Sequence, residues 1–483
     1  MLGNILPLRV LNAQESWQKQ IPGVGTFSSP RIADLNEDGT GDIILGAGRE
    51  EFNACDTAIF ALDGKTGEFL WHVPSRDQIF GSATLKDITG DGIMDVFIGG
   101  RSAELQAING KTGEVIWSFV EVHKPRKGKK KEWYNFYNPQ FIPDQTGDGL
   151  EDILVSNGGD VLAEPYDPDR PAGNLVVLDS KTGQILARAQ VPDGKEIYLS
   201  VSSVPTEDGH DRKVVFGTGG ETIGGNLYVV LLSEIMNGDL SGSVKLATGE
   251  SKGFIGPPAW VDITDDGYPD IIANAVDGRL LAFNGKTYET IWQVEMPGTE
   301  AYSSIATGFF NKDSIPDIFV SYAQGSWPNL DWTKQFMVNG ADGKIEFMDS
   351  LGFYQTSTPV IADLNLDGTD DALLVVNYQV IDDLYRKWFY NMLVGIDFVK
   401  NEIIELGINQ PGYNNASTPW IGDLDNDGKI DIIYCHGTNS RHTNTFDGIQ
   451  VNRIVTSIPI RRTIRWGAYM GSNYDGVFNK LMP

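Results

Sequence analysis

The sequence predicts an all-β protein that folds as an eight-bladed β-propeller of four-stranded antiparallel blades. Two repeated patterns support this fold class: an acidic turn that precedes an apolar strand, and a glycine-rich hairpin further along each repeat. Self-similarity at a fixed period indicates a repeat architecture, and short antiparallel strands in units of this length are typical of propeller blades. Few segments show the periodicity of a helix.

The acidic turn follows the pattern D-x-[DNT]-x-D-G-x-x-D and occurs six times, beginning at Asp34, Asp87, Asp144, Asp262, Asp363 and Asp423. Two of the intervals between copies are about double length. Each of these contains a degenerate copy, one beginning at Pro205 and one at Phe309. The chain therefore holds eight units of about 55 residues.

Each unit has the same order of elements. A short strand leads into the acidic turn, a buried strand such as "DIILGAG" follows, and two further strands are joined by a hairpin such as "LDGKTGEFLW". Asp-Gly and Thr-Gly pairs between β-rich runs are strong hairpin signals. An open ring would leave an unpaired strand edge, and the last unit lacks this hairpin. Residues 15–21, which resemble the outer strand "FLWHVPS" of the first unit, are predicted to supply the missing outer strand.

These patterns divide the chain into three parts. Residues 1–14 are either a signal remnant or a leading strand, residues 15–457 form the propeller, and residues 458–483 form a tail that is not a ninth unit. The tail is expected to pack on the outside of the propeller or at the closure seam. Cys55 and Cys435 fall in the two blades that closure makes neighbours, so either a disulfide across the seam or two free thiols would fit.

The acidic turns predict about six Ca²⁺ sites. Calcium takes six to eight oxygen ligands in flexible geometry, and positions 1, 3, 5 and 9, with the backbone carbonyl at position 7, can converge on one ion. Glycine at position 6 permits the backbone reversal. The alternative is an Asx-rich turn without metal, but six copies in register favour calcium. The expected ligands are Asp34, Asn36, Asp38, Thr40, Asp42, Asp87, Thr89, Asp91, Ile93, Asp95, Asp144, Thr146, Asp148, Leu150, Asp152, Asp262, Thr264, Asp266, Tyr268, Asp270, Asp363, Asn365, Asp367, Thr369, Asp371, Asp423, Asp425, Asp427, Lys429 and Asp431.

The two degenerate copies are not expected to bind metal. The fourth copy has Lys213 where the last carboxylate belongs, and the sixth has Phe309 in the first position and Ser314 in place of the glycine.

Composition and sequence patterns limit the classes of binding partner and the cellular locations that fit the chain. The 483 residues carry a formal net charge of -27, which argues against nucleic acid because phosphate binding requires a basic surface. No apolar run is long enough to span a membrane as a helix. Calcium turns suit a calcium-rich compartment, so a secreted, periplasmic or cell-surface location is expected.

Both patterns resemble known repeats. The acidic turns resemble the FG-GAP/VCBS-type repeats of integrin α-subunit propellers, and "ALDGKTGEFLW" is similar to the tryptophan-docking repeat of pyrroloquinoline-quinone-like and BamB-like propellers. The resemblance covers roughly residues 15–455. It implies that the calcium turns lie on one face and are mainly structural, and that ligands bind the opposite face or the mouth of the central channel. Quinoprotein enzymes of this shape carry a vicinal disulfide, and the absence of adjacent cysteines argues against that activity.

Candidate binding residues lie in the long loops expected on the opposite face, which include residues 322–335 of blade six and 377–391 of blade seven. An aromatic residue precedes the first strand of each blade and would line the channel mouth, either to pack the blades or to stack on a ligand. The set is Phe27, Phe80, Phe136, Tyr198, Phe254, Tyr302, Tyr354 and Tyr413. The basic stretch at residues 123–138 is either a solvated loop or an anion-binding segment.

No catalytic residue can be assigned, because the sequence has neither a nucleophile elbow nor a phosphate loop. His123 and Tyr134 form the only suggestive cluster. The sequence therefore favours a calcium-stabilised binding or interaction module for a glycan or protein partner. The alternatives are a lyase acting on acidic polysaccharides and a structural subunit of an outer-membrane or extracellular assembly.

Overall fold

The computed structural model describes residues 13–124, 132–353, 357–406, 409–443 and 445–479. The strands form eight sheets, each built around four antiparallel strands; in seven sheets these strands are consecutive in the chain, and the eighth combines three consecutive strands with Ala13–Pro22. The sheets are the blades of a propeller, which confirms the predicted all-β, eight-bladed fold.

Blades one to four each run from an inner to an outer strand. Their strands are Arg31–Ala33, Asp42–Gly46, Cys55–Leu62 and Phe69–Ser75; Thr84–Lys86, Asp95–Gly99, Leu105–Ile108 and Val115–Ser118; Asn135–Phe136 with Gln140–Ile142, Asp152–Gly158, Asn174–Leu178 and Ile185–Gln190; and Ser202–Pro205, Arg212–Gly217, Gly225–Leu231 and Val244–Gly249. Two short helices, Phe119–Val122 and Leu232–Met236, lie beside these blades.

Blades five to eight follow the same order. Their strands are Ala259–Val261, Asp270–Asn274, Arg279–Phe283 and Thr290–Glu295; Thr299–Ala301 with Ala306–Gly308, Asp317–Ser326, Asn329–Val338 and Ile345–Phe353; Val360–Ala362, Asp371–Ile381, Lys387–Asp397 and Glu402–Glu405 with Gln410–Pro411; and Trp420–Gly422, Lys429–Gly437, Gly448–Pro459 and Ala13–Pro22. No described helix is long and apolar enough to cross a membrane.

The second strand of each blade forms the core. In blades one, two and five every residue of this strand is buried, because the strand lies between two others and both of its faces pack on neighbouring blades. One core cluster joins Ile43 of blade one to Ile98 of blade two and Ile433 of blade eight. This explains why the sequences of these strands are continuously apolar and do not alternate between apolar and polar residues.

Tryptophans in outer strands join neighbouring blades. The indole N–H of Trp71, in blade one, donates to the carbonyl of Gly110 in the hairpin of blade two at 2.7 Å. Gly113 in that hairpin has φ +74°, and a Cβ there would lie 2.6 Å from Trp71 Cβ. Trp117 and Trp292 dock on the hairpins of the next blades in the same way. The repeated Lys-Thr-Gly hairpin is therefore the receptor for an indole from the preceding blade.

The ring closes at blade eight. Ala13–Pro22 pairs antiparallel with Gly448–Pro459 as the outer strand, the place expected for residues 15–21. Trp17 of this strand donates to the carbonyl of Gly64 in blade one at 2.9 Å, which repeats the docking contact across the seam. Cys55 and Cys435 are buried and unpaired. Strand pairing and indole docking, rather than a disulfide, hold the seam.

The tail was expected to pack on the outside of the propeller or at the closure seam, but the structure places it elsewhere. Val477–Phe478 pairs in parallel with the innermost strand of blade five. The N–H of Ile361, in the inner strand of blade seven, donates to the carbonyl of Trp466, and Ile421 of blade eight donates to Gly467. The tail therefore runs along the inner edges of the blades, in the central channel.

Unpaired backbone groups explain this position. Inner strands have no further strand toward the axis, and buried N–H groups need acceptors. Tail carbonyls supply these acceptors. Arg31 of blade one, which is buried, also donates to the carbonyl of Tyr469 at 2.8 Å. Trp466 and Phe478 are buried as a result.

Candidate functional site

Hydrogen bonds to its own carboxylates close each acidic turn. In the first copy Asp34 accepts the N–H groups of Asp38 and Gly39 at 3.1 and 2.9 Å, and Asp38 accepts that of Thr40 at 2.9 Å. The first aspartate of the other five copies accepts the glycine N–H in the same way: Asp87, Asp144, Asp262, Asp363 and Asp423. These bonds are typical of Asx turns.

The ninth-position aspartate joins the turn to the hairpin of the same blade. Asp42 Oδ2 accepts the N–H of Leu35 at 2.8 Å, and Oδ1 accepts that of Gly64 at 2.9 Å. Asp317 in the degenerate sixth copy makes the equivalent bonds with Phe310 and Gly340. The ninth aspartate therefore has a structural role even in a copy that is not expected to bind metal.

Burial changes the ionisation of these aspartates. Desolvation raises the pKa of Asp42 to about 6 and that of Asp317 to about 7. The pKa of Asp371 rises to about 8, first because of burial and further because of repulsion from neighbouring carboxylates such as Asp397. A nearby cation would favour the charged form of each group.

The eighth turn holds three carboxylates close together. Oxygen atoms of Asp423, Asp425 and Asp431 lie within 4.8 Å of one another, and an all-oxygen donor set suits calcium. Nη2 of Arg453 lies 2.6 Å from Asp425 and 3.0 Å from Asp431. The residues therefore fit an oxygen-bound cation, but an arginine already neutralises part of their charge.

Lysines have a similar place in other turns. Lys65 lies 2.9 Å from Asp38, and Lys286 lies 3.0 Å from Asp266. In the fourth copy Lys213 Nζ is buried, pairs with Glu207 at 2.8 Å and donates to the carbonyl of Gly285 at 2.7 Å. Its contact with Gly285 replaces the docking indole of other blades. The spacing of the acidic motif alone does not reveal these basic partners.

A cavity of about 560 Å³ opens at the channel mouth on the other face. In an antiparallel blade the acidic turn and the Lys-Thr-Gly hairpin lie at one end of the strands. The loops between second and third strands, and those between blades, lie at the other end. The residues that line the cavity come from this second set of loops. Its aromatic residues are Phe27, Phe80, Tyr137, Tyr198, Tyr302 and Trp327.

The predicted aromatic set divides between the cavity and the interior, and stacking on a ligand remains a prediction. Phe27, Phe80, Tyr198 and Tyr302 line the cavity. The other described members are buried: Phe136, Phe254 and Tyr413. Tyr354 lies outside the described residues.

The loop of blade three, residues 159–173, contacts blade six across the mouth. The Tyr166 hydroxyl donates to the carbonyl of Trp327 at 3.4 Å, and the two ring centroids are 6.3 Å apart. Arg170 anchors the loop from below: it pairs with the fully buried Glu196 and donates to the Tyr198 hydroxyl at 3.0 Å. Burial raises the pKa of Glu196, although Tyr198 and Arg170 partly offset this by stabilising the carboxylate.

His123 and Tyr134, the cluster that the sequence suggested, have surroundings of their own. His123 Nε2 lies 2.9 Å from the carbonyl of Gly183, and its ring packs on Phe119 with centroids 4.4 Å apart. Neither His123 nor Tyr134 lines the cavity among the residues described. The basic run at residues 125–131 lies outside the described residues.

Comparisons with known proteins agree with the architecture. Residues 56–238 match a family model described as the outer membrane protein assembly factor BamB. This match supports the BamB-like part of the resemblance, whereas the FG-GAP/VCBS type remains an expectation. No curated protein has a sequence that matches the chain.

Solved structures with a similar fold include two quinohemoprotein alcohol dehydrogenases. The one from Pseudomonas putida HK5 aligns with TM-score 0.57 and 11% identity over 93% of this chain and 78% of its own. The enzyme from Comamonas testosteroni gives 0.57 and 12% over 94% and 78%. A europium-containing methanol dehydrogenase gives 0.55 and 11% over 92% and 93%. At these identities the likeness concerns the fold alone.

Proposed function

We propose that the chain is an interaction module that binds a partner protein with the loop-rich face around the channel mouth. The observation that carries this proposal is the distribution of large, exposed apolar side chains. Among the described residues, large exposed apolar side chains occur on both faces, but seven of the eight most exposed lie in the loops between second and third strands or in the hairpin ends beside them: Phe52, Leu162, Tyr166, Trp332, Ile381, Leu384 and Tyr385. Apolar groups gathered on one face mark interaction sites, and aromatic anchors supply much of the binding energy at interfaces.

The blade-seven hairpin presents its tip in an ordered form. Its strands are 11 residues long, against five for the second strand of blade one. At the turn, Asp382 Oδ2 accepts hydrogen bonds from Arg386 and Trp388 at 2.7 and 3.1 Å. Leu384 and Tyr385 on this turn are 68% and 90% exposed. A tip that is ordered before binding loses less conformational entropy on association.

The family match supports a protein partner and a location outside the cytoplasm, and the acidic turns support a role for calcium. The family matched by residues 56–238 is described as an assembly factor, in keeping with a protein partner and a periplasmic, secreted or cell-surface location. We propose that calcium in the acidic turns stiffens the opposite face. The turns join first to second strands, and their ninth aspartates also hold the hairpins, so bound cations would fix the geometry from which the loops project.

The test compares capture of a partner by the full chain and two variants. Leu384→Ser/Tyr385→Ser removes the apolar tip, and Met348→Ser, which is 63% exposed on the outer strand of blade six, is the matched control. We expect one protein to be captured by wild type and control, and at least tenfold less by the double variant. Equal capture by all three would contradict the proposal. A glycan bound in parallel on an array by wild type and double variant alike would favour carbohydrate recognition instead.

A further inference from the structure

The positive charges among the described residues that line the cavity are already paired. Arg101 lies 2.7 Å from Glu51, and its guanidinium carbon lies 5.7 Å from the ring centroid of Phe80. Arg170 is paired with Glu196. Both arginines that line the cavity therefore have a carboxylate partner, which makes the cavity a poor site for an anion such as an acidic glycan.

Two carboxylates of the same cavity lack such a partner. Asp160 and Glu221 both line it, and no basic side chain of the described residues forms an ion pair with either. Lys252 bonds the backbone carbonyl of Glu221 at 2.7 Å, but its ion-pair partner is Glu300, at 2.8 Å. The described lining thus carries three carboxylates, Glu51, Asp160 and Glu221, against two arginines, inside a protein whose net charge is -27.

The aromatic lining strengthens this preference. Faces of tyrosine and tryptophan rings attract cations, and the attraction grows when water is excluded. Tyr137, Tyr198, Tyr302 and Trp327 line the cavity together with the two carboxylates. Carboxylates beside aromatic rings suit an organic cation, whose charge pairs with the carboxylates while its methylene groups contact the rings.

We infer that the channel mouth binds a primary ammonium group, presented by the partner as a lysine side chain, between Asp160, Glu221 and the aromatic rings. This inference rests on the proposed function and specifies what the partner inserts at the centre of the loop-rich face. A cavity of about 560 Å³ is within the usual range for ligand pockets, so it accommodates a lysine with part of its flanking chain.

The test measures the binding of three labelled pentapeptides to the full chain by fluorescence anisotropy. The peptides are identical glycine–serine sequences with lysine, Nε-acetyl-lysine or glutamate at the centre. Butylamine is the competitor that represents a free amine. Asp160→Asn/Glu221→Gln removes both charges and keeps the acceptor that Asp160 offers to the N–H of Leu162. Glu114→Gln, an exposed position in the blade-two hairpin on the other face, is the matched control.

We expect the lysine peptide to bind at least tenfold more tightly than the other two, with an affinity that falls as salt rises. The double variant should lose at least tenfold, and Glu114→Gln should remain within twofold of wild type. Competition by butylamine would assign recognition to the amine itself, and its failure would assign it to a lysine held in a chain. Equal binding of acetyl-lysine, an unaffected double variant, or no binding of the lysine peptide at millimolar concentration would overturn the inference. Partner capture that still depends on Leu384 and Tyr385 would leave the proposed function standing in that case.

Discussion

At the scale of single residues, Glu196 organises the channel mouth. It is fully buried, and it bonds Arg170, which holds the loop of blade three, and Tyr198, which lines the cavity. Removing one member of a buried ion pair leaves an uncompensated charge, which costs more than replacing both.

Arg170→Met is therefore expected to lower the free energy of unfolding by about 3 kcal/mol. The double variant Arg170→Met/Glu196→Gln should lose clearly less, because no charge stays buried without a partner. Urea unfolding of wild type, Arg170→Met, Glu196→Gln and the double variant at pH 7 measures the difference. If the double variant loses as much as the sum of the two single changes, the pair is not coupled.

Burial of His436 is expected to make the folded state less stable in acid. It is buried, its Nδ1 lies 3.1 Å from the carbonyl of Gly437, and burial lowers its pKa to about 4. In the unfolded state His436 takes up a proton below about pH 6.5, whereas in the folded state it stays neutral until about pH 4. The free energy of unfolding therefore falls as the pH drops from 6.5 toward 4. Between pH 7 and pH 5 the loss from this residue is about 2 kcal/mol. His436→Gln should lose less stability than wild type over this interval, as measured by thermal unfolding at both values. The same decline in both proteins would contradict the assignment.

The sequence could not determine which of two adjacent aromatic residues faces the cavity. An aromatic residue at each blade entry was expected at the mouth, but Phe136 is buried while its neighbour Tyr137 lines the cavity. Successive residues of an extended chain point to opposite sides, so a pattern that locates the strand does not determine which of two aromatics faces the channel. The pairing of both arginines with carboxylates was equally invisible, because the partners come from different loops.

At the scale of elements, the docking indole is the repeated contact between blades. Trp71→Ala is expected to cost about 3–5 kcal/mol because it empties a buried indole site. Trp71→Phe should cost less, since it keeps part of the packing and loses mainly the hydrogen bond to Gly110, which is worth about 1 kcal/mol. Trp332→Ala, at a tryptophan that is 49% exposed, is the control and should change stability little. Chemical denaturation of the three variants checks the ranking, and equal losses at both sites would contradict the docking role.

The elements themselves were largely predictable, since the motifs repeat with their turn chemistry. Two outcomes were not. Lys213 replaces an indole at the junction of blades four and five, which no hairpin motif signals. The long segments of blades six and seven, expected as loops, continue as paired strands toward the tips. In these segments the extended conformation depends on the residues of the partner strand, and these are known only once the pairing of the strands is known.

At the scale of the whole molecule, the tail and the ring stabilise each other. Arg31 in blade one has its guanidinium carbon 4.0 Å from the ring centroid of Tyr474 in the tail, and burial lowers its pKa to about 10. A double-mutant cycle of Arg31→Met and Tyr474→Ala should give a coupling energy of about 1–2 kcal/mol. Tyr385→Ala, at a tyrosine that is 90% exposed, is the control and should leave the melting temperature unchanged. A coupling energy near zero would show that the tail does not need this contact.

Calcium removal tests the acidic turns as a set. A metal that binds only the folded state stabilises it, by about 2.7 kcal/mol per site at a hundredfold excess over Kd. Chelation should therefore lower the melting temperature, and added Ca²⁺ should restore it. Scanning calorimetry with elemental analysis of the metal content is the measurement. An unchanged melting temperature after complete removal of metal would show that the Asx bonds and basic neighbours suffice.

The repeat count and the closing strand could be predicted at this scale because a ring leaves few alternatives. The place of the tail could not. Its acceptors meet N–H groups of inner strands such as that of Trp260, and sequence patterns do not show which backbone groups remain unpaired after the blades have formed.

The closing strand also has a consequence for how the protein is made. Ala13–Pro22 pairs with Gly448–Pro459, so that Gln20 and Gln450 bond across 430 positions of the chain. At about 5–20 residues per second, the closing strand waits roughly 20–90 s for its partner during translation. Throughout that time the nascent chain carries an exposed strand edge, which other chains can pair with. We therefore expect the yield of folded protein to depend on synthesis rate and on chaperones that shield this segment until blade eight emerges.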